Sequence, residues 1–327
     1  MKEGNTNYEL TSCLDTDSAF GHDPFKGTKM FTKKRPDGTH VQNLHFFTQL
    51  LPYLMPTRTE AAIYFEQEFD VTKTLEYARK KRADTNGPKI SFFYIVLYAA
   101  TRAIAQRPKL NRFVSGCRYY QRNRISYNFI AKRDLSDEGE EINVTMSFSP
   151  FLTLEEFCRK INDYIISLKK GSSTSSEKIN SFITHLPRFC IKLFVWGVRF
   201  LDYHNALPKS VIESLPFYST IFFTNVGSVG IDAPFHHNFE VGNCGIFCAI
   251  GKIRREKSTN QDGVMEARDK VKLTFTFDDR ITDGIYCARA VSMVRDYVEN
   301  PEKLDLPLEL SPEQLSNLGL AETELRV

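Results

Sequence analysis

Ile63, Phe65, Gln67 and Phe69 alternate with Tyr64, Glu66 and Glu68, a period of two that predicts a half-buried strand. On either side the period lengthens. The apolar-rich stretch Leu44–Met55 predicts a short helix ended near Pro56. Lys73–Lys81, capped by Asp70 or Thr72, predicts a second that stops before the turn Asn86-Gly87. Phe92, Ile95, Val96, Ala99 and Ala103 share one helical face, so a long helix is predicted over Ser91–Arg107, closed by Pro108. Phe113–Arg133 reads as two strands and Val144–Phe148 as another, and Thr153 and Glu156 have the spacing of a capping box opening a helix to Lys169.

Gly171–Ser176 reads as a Ser/Gly-rich linker, followed by helices at about Glu177–Leu186 and Arg188–His204 and a strand at Ser219–Thr224. Lys272–Phe277 alternates like a strand and runs into Asp278-Asp279-Arg280-Ile281-Thr282-Asp283-Gly284, whose glycine lets the chain turn into a helix from Ile285. Residues 1–40 are polar, carry the turn Arg35-Pro36-Asp37-Gly38 and read as an extended arm. Residues 41–300 read as one domain with a helical insertion at about 175–217, and 301–327 as a C-terminal tail.

Composition removes several classes of function. With 327 residues, 42% hydrophobic and 13% aromatic, the chain can bury a substantial core. A net charge of +3 is too balanced for a nucleic-acid-binding surface. Met1–Thr11 has no apolar run, so no secretory signal is expected and a cytoplasmic location follows. Seven scattered cysteines without a Cys-x-x-Cys pair read as reduced thiols. His22, His40, His45, His185 and His204 lack ligand spacing. At most two of Asp278, Asp279 and Asp283 could converge, because adjacent strand residues face opposite ways, so no metal is expected. Walker loops, dinucleotide fingerprints and nucleophile elbows do not occur.

The heptapeptide at 278–284 resembles the His-x-x-x-Asp-Gly signature of the superfamily of chloramphenicol acetyltransferase and the dihydrolipoyl acyltransferase cores of 2-oxoacid dehydrogenase complexes, with Asp279 at the histidine position. Further matches follow in order. Arg107-Pro108-Lys109-Leu110-Asn111 is similar to the family's helix ending in Pro-x-Leu-Asn, Phe222–Asp232 to its Thr-Ile-Ser-Asn-Leu-Gly segment, and Ala249–Ile253 to the strand after it, so that roughly residues 45–300 are covered. The resemblance implies an α/β, two-layer fold with a mixed β-sheet flanked by helices, assembled as a homotrimer with the site between subunits. It implies acyl-CoA as substrate and, as no lipoyl-bearing domain is expected, a stand-alone protein rather than a member of a dehydrogenase complex.

The family's chemistry assigns roles by position. Asp279 would be the general base, Thr224 the hydroxyl that donates to the tetrahedral oxyanion, and Asp283 the residue of a structural salt bridge holding the turn, with Arg58 among its possible partners. His236, His237 and Asn225 fall on segments that in the family line the acceptor channel, and either histidine could replace the missing one; the other reading is ordinary loop histidines. A carboxylate exposed to water titrates at about 3.9 against about 6.5 for imidazole, so Asp279 needs burial to serve as a base. Transfer of an acyl group to a small thiol, hydroxyl or amine is one function this admits, a catalytically inactive binding or scaffold protein is a second, and an acyltransferase-like protein working at the membrane on lipid acceptors is a third. Phe189–Leu201 is almost wholly apolar, with Arg188, Lys192 and Arg199 in one basic stripe. Three readings of it compete: a helix packed against protein, a lid over the channel, and a membrane-surface anchor.

Overall fold

The computed structural model describes residues 34–83, 87–132, 141–169, 185–259, 263 and 265–325. The linker at 171–176, the turn residue Asn86, most of the helix expected at 177–186, and the arm up to residue 33 lie outside them. Among the described residues the chain runs β1 (Gly38–His40), α1 (Phe46–Leu54), β2 (Ala62–Asp70), α2 (Thr72–Ala83), α3 (Phe92–Gln106), β3 (Arg112–Ser115), β4 (Arg118–Arg122), β5 (Ile125–Lys132), β6 (Glu141–Phe148) and α4 (Leu154–Lys169). It continues with α5 (Arg188–Tyr203), α6 (Lys209–Ser214), β7 (Ile221–Asn225), β8 (Ile246–Thr259), β9 (Met265–Asp278), α7 (Gly284–Glu299), α8 (Pro312–Leu318) and α9 (Glu322–Leu325).

Six strands form one mixed sheet in the order β2-β9-β8-β7-β5-β6, parallel at β5–β7 and β7–β8 and antiparallel elsewhere. Its composition explains why one face is dry. Ile221, Phe223, Ile246, Cys248, Leu273, Phe275 and Phe277 point to one side and are buried together with Val96, Ala100 and Ile104 of α3 and Val291 and Val294 of α7. On the reverse face Phe222, Phe247 and Ala249 are covered by the chain around Ala233 and Phe239. This is the mixed α/β architecture expected from the heptapeptide's resemblance.

Local signals account for several boundaries. Ser91 caps α3 by accepting from the Tyr94 amide at 3.2 Å, and Thr153 and Glu156 form the capping box of α4, with 2.8 Å from the Thr153 amide to Glu156. The stretch expected to give two strands at 113–133 gives three, because Gly116 (φ 55°) and Cys117 (φ 57°) make a two-residue turn between β3 and β4. Gly116 is also required by space: a Cβ there would lie 2.2 Å from the Tyr203 carbonyl oxygen. Asn111 of the Pro-x-Leu-Asn segment is fully buried, donates to the Arg122 and Arg124 carbonyls and accepts from Thr220, so it joins β4, β5 and the approach to β7.

Residues 34–40 pack into the fold. Arg35 donates to Asp37 at 2.9 Å, to Asp202 of α5 at 2.8 Å and to Ser115 at 2.8 Å, and Asn243 donates to Asp37 at 2.7 Å, all beneath the surface. The region after residue 300 is docked as well. Leu304 and Leu318 are buried, and Arg102 of α3 donates to the Leu306 carbonyl at 2.8 Å.

Candidate active site at the end of β9

β9 ends in two adjacent aspartates with opposite fates. Asp278 is buried and ion-paired: Arg280 donates to its two oxygens at 2.8 and 2.7 Å, and the same guanidinium donates to the Met55 carbonyl at 3.0 Å. The turn is thereby tied to the end of α1. The Asp279 backbone amide donates to the Ala61 carbonyl at 2.8 Å, which extends the β2–β9 ladder by one rung. Its carboxylate, half-buried, has no hydrogen bond or ion pair among the described residues. Burial, with the Asp278 carboxylate nearby, raises the Asp279 carboxyl above its ordinary range.

Asp283 takes another role than the salt bridge expected for it. It is exposed and is the N-cap of α7, its side chain accepting from the Tyr286 amide at 2.8 Å. Arg58 is engaged elsewhere: it donates to the Phe239 and Glu240 carbonyls at 3.3 and 3.0 Å, and its amide to the Glu240 carboxylate. The ion pair that holds the turn is Asp278–Arg280. The sequence does show both residues, and the pairing is local enough to have been read from it.

A groove of about 310 Å³ runs beside this turn, lined by Ile63, Phe65 and Gln67 of β2, Phe277 of β9, and Cys287 and Val291 of α7. Its β2 wall is the inward half of the alternation at 63–69. Cys287 senses the carboxylates: burial first, then Asp279 and Asp283, push its thiol up to about 12, so it is a neutral wall residue rather than a nucleophile.

Thr224 lies at the far end of the sheet. It is half-buried near the end of β7, its hydroxyl has no partner among the described residues, and it is in register with Ala249 and, across β8, with Thr274. Asp279 is five residues past Thr274, which at the rise of a strand is about 16 Å along β9, two strands away from β7. One chain therefore does not bring the two together. Asn225 ends β7 and its carbonyl accepts from Ser228, starting a tight turn in which Gly227 meets Gly251. A Cβ on Gly227 would come within 2.2 Å of the Gly251 carbonyl oxygen.

His236 is bound up in packing. Its ring stacks on Phe247 at 4.0 Å, its Nδ1 is 2.8 Å from the His237 carbonyl, and its own carbonyl accepts from Thr276. His237 is exposed, with Nδ1 3.0 Å from the Asn238 carbonyl. Both belong to the chain covering the reverse face of the sheet, on the side of Thr224, and neither touches Asp279. Among the described residues no cluster of His, Cys, Asp or Glu has the arrangement of a metal site.

Residues 218–306 match the family model of the 2-oxoacid dehydrogenases acyltransferase catalytic domain. Among solved structures, the chain is similar to a probable dihydrolipoamide acetyltransferase from Listeria monocytogenes (14% identity, 83% of this chain and 99% of that one, TM-score 0.53). It is also similar to the dihydrolipoamide acetyltransferase of Azotobacter vinelandii, in which a serine, a histidine and an asparagine have been investigated for their role in catalysis (11% identity, 82% and 95%, TM-score 0.53). A third match is the cubic core of the pyruvate dehydrogenase multienzyme complex (10% identity, 82% and 95%, TM-score 0.51). No curated protein sequence matches. The resemblance carried by the signature, the Pro-x-Leu-Asn segment and the β7 turn is thus borne out at the level of the acyltransferase catalytic fold.

Proposed function

We propose that this protein transfers an acyl group from acyl-CoA to a small thiol, hydroxyl or amine in the cytoplasm, as a homotrimer, with Asp279 of one subunit as general base and Thr224 of its neighbour as oxyanion donor. The observation that carries the reading is the bare, half-buried Asp279 carboxylate at the β9 turn, within the matched segment and beside an apolar groove. The acceptor's X–H proton passes to Asp279 as X attacks the thioester carbonyl. Thr224 donates to the oxyanion, and on collapse the C–S bond breaks and the proton returns to the CoA sulfur. The separation of Thr224 and Asp279 within one chain supports a shared site, and the cubic core similar to this chain has threefold axes by symmetry.

One observation favours the alternative of a non-catalytic binding or scaffold protein: at the signature position stands a carboxylate, shorter and less basic than histidine. A thiol-release assay over a panel of acyl-CoAs and acceptors, run beside CoA titration, separates the two. Turnover that Asp279→Asn abolishes supports the enzyme, whereas CoA binding without turnover supports the scaffold.

A further inference from the structure

α5 is built inside out. Its buried residues are Val198, packed with Leu207, Ile212 and Tyr218, and Asp202, paired with Arg35. The positions facing away from the protein are Phe189, Leu193, Trp196, Phe200 and Tyr203, at spacings of four and three, and the first three are 70%, 62% and 61% exposed. An outward face of this kind on a short helix is the reverse of what burial against its own subunit requires.

α1 repeats the pattern. It contains no charged residue, and Phe46, Phe47, Leu50, Tyr53 and Leu54 are all exposed. The two helices adjoin at the β3–β4 turn, where the Cys117 thiol lies 4.0 Å from the Pro52 carbonyl and 3.7 Å from the Tyr203 hydroxyl. Residues more than 130 apart in sequence thus place two exposed apolar helices side by side.

We infer that the outward faces of α1 and α5 form a docking surface for an anionic lipid bilayer. Charge selects this occupant. Arg188, Lys192 and Arg199 are exposed on α5 and have no ion-pair partner among the described residues. The one acidic residue of either helix, Asp202, is turned inward. A twofold pairing of this face with itself would bring three cations against three with no carboxylate to meet them, and a threefold contact would have to set it against a different, acidic surface. A bilayer with anionic headgroups supplies the opposite charge around an apolar interior, and interfacial aromatics such as Trp196, Tyr53 and Tyr203 suit its boundary. No helix among the described residues is long and apolar enough to cross a membrane, so the contact is one of lying on the surface.

Trp196 is the only tryptophan of the chain, so the protein's tryptophan emission reports on this face alone. The full chain is titrated with vesicles of phosphatidylcholine, and with vesicles in which one lipid in four is phosphatidylglycerol. Emission should shift to the blue, and the protein float, with the anionic vesicles only. Lys192→Gln and Arg199→Gln should each weaken binding about fivefold, and Leu193→Ser at least tenfold, with unchanged circular dichroism because these side chains are exposed. No shift with anionic vesicles overturns the inference, as does equal binding to neutral ones. So does a blue emission without vesicles that Leu193→Ser abolishes together with self-association, since the face would then belong to another copy.

Discussion

Two polar regions adjoin one end of the sheet, where Ser115 and Asp202 of one and Arg280 of the other line the same cleft. Under α5, Arg35, Asp37, Asp202, Ser115 and Asn243 lie beneath the surface, and each carboxylate there accepts from a guanidinium or amide. At the end of β9, Asp278 is satisfied in the same way by Arg280, while the next residue, Asp279, is left half-buried with no donor to accept from among the described residues. The first arrangement closes a structure, because removing charges from water is tolerated only when partners replace it. The second retains proton affinity, because burial and a like charge have raised a carboxyl that no cation lowers again.

The sharpest way to break this contrast is to remove a charge on each side. Arg35→Met leaves Asp37 and Asp202 buried without their cation and should lower unfolding stability by about 3–5 kcal/mol in denaturant titration. Any acyl transfer per folded molecule should be little changed. Asp279→Asn should do the opposite, lowering acyl transfer by about 10²-fold or more while the denaturation midpoint holds or rises slightly. Asp279→His restores the family signature, and a faster rate would mean a site still shaped for the original chemistry. If Asp279→Asn left a measured transfer intact, the base would have to be sought elsewhere.

A smaller effect tests whether the hydroxyl belongs to the same reaction. Thr224→Val keeps the shape at the end of β7 and removes one donor, so kcat should fall by about 10-fold to 10³-fold with KM little altered. Mixing Asp279→Asn with Thr224→Val subunits gives the discriminating measurement. If the site is shared between neighbours, some mixed trimers regain an intact pair and activity returns above that of either variant, whereas a site within one chain gives no recovery.

How much of this was legible before the structure depended on the range of the interactions. The strand at 62–70, α3 and the α4 capping box follow from periodicity and caps a few residues apart, and they stand as read. The turn at Gly116-Cys117 was hidden because its second residue is a cysteine in the left-handed region, while the α5 carbonyl that leaves room only for glycine at 116 comes from residue 203. Residues 35–37 looked like an arm because their partners, Asp202 and Asn243, are more than 160 residues away. At the site, Asp279, Thr224 and Asp283 were read from position alone; the structure sets the first two at opposite ends of the sheet and shows the exposed Asp283 side chain capping α7, with no ion pair among the described residues. The outward face of α5 is invisible to hydropathy, which treats Phe189 and Val198 alike.

The smallest effect compares the two regions through pH. The Asp37 carboxyl is strongly buried, yet Arg35 and then Arg122 and Asn243 hold it below its ordinary range. Its contribution to stability is therefore present above the unfolded-chain value of about 3.9 and is lost as pH falls through the lower folded value. Asp279 has the opposite sign. With its folded value raised, the native state binds the proton more tightly than the unfolded chain, so stability falls as pH climbs from about 3.9 through the raised value and is constant above it. Unfolding free energies of the parent, Asp37→Asn and Asp279→Asn over pH 3–8 should then diverge in opposite directions. The deficit of Asp37→Asn should shrink toward acid, and any gain of Asp279→Asn should grow from about pH 4 upward and level off at the raised value. That plateau should coincide with the acid limb of the rate profile, because the carboxylate that costs stability when ionised is the one the reaction needs ionised. An acid limb that survives in Asp279→Asn would separate the two and assign the titration to another group.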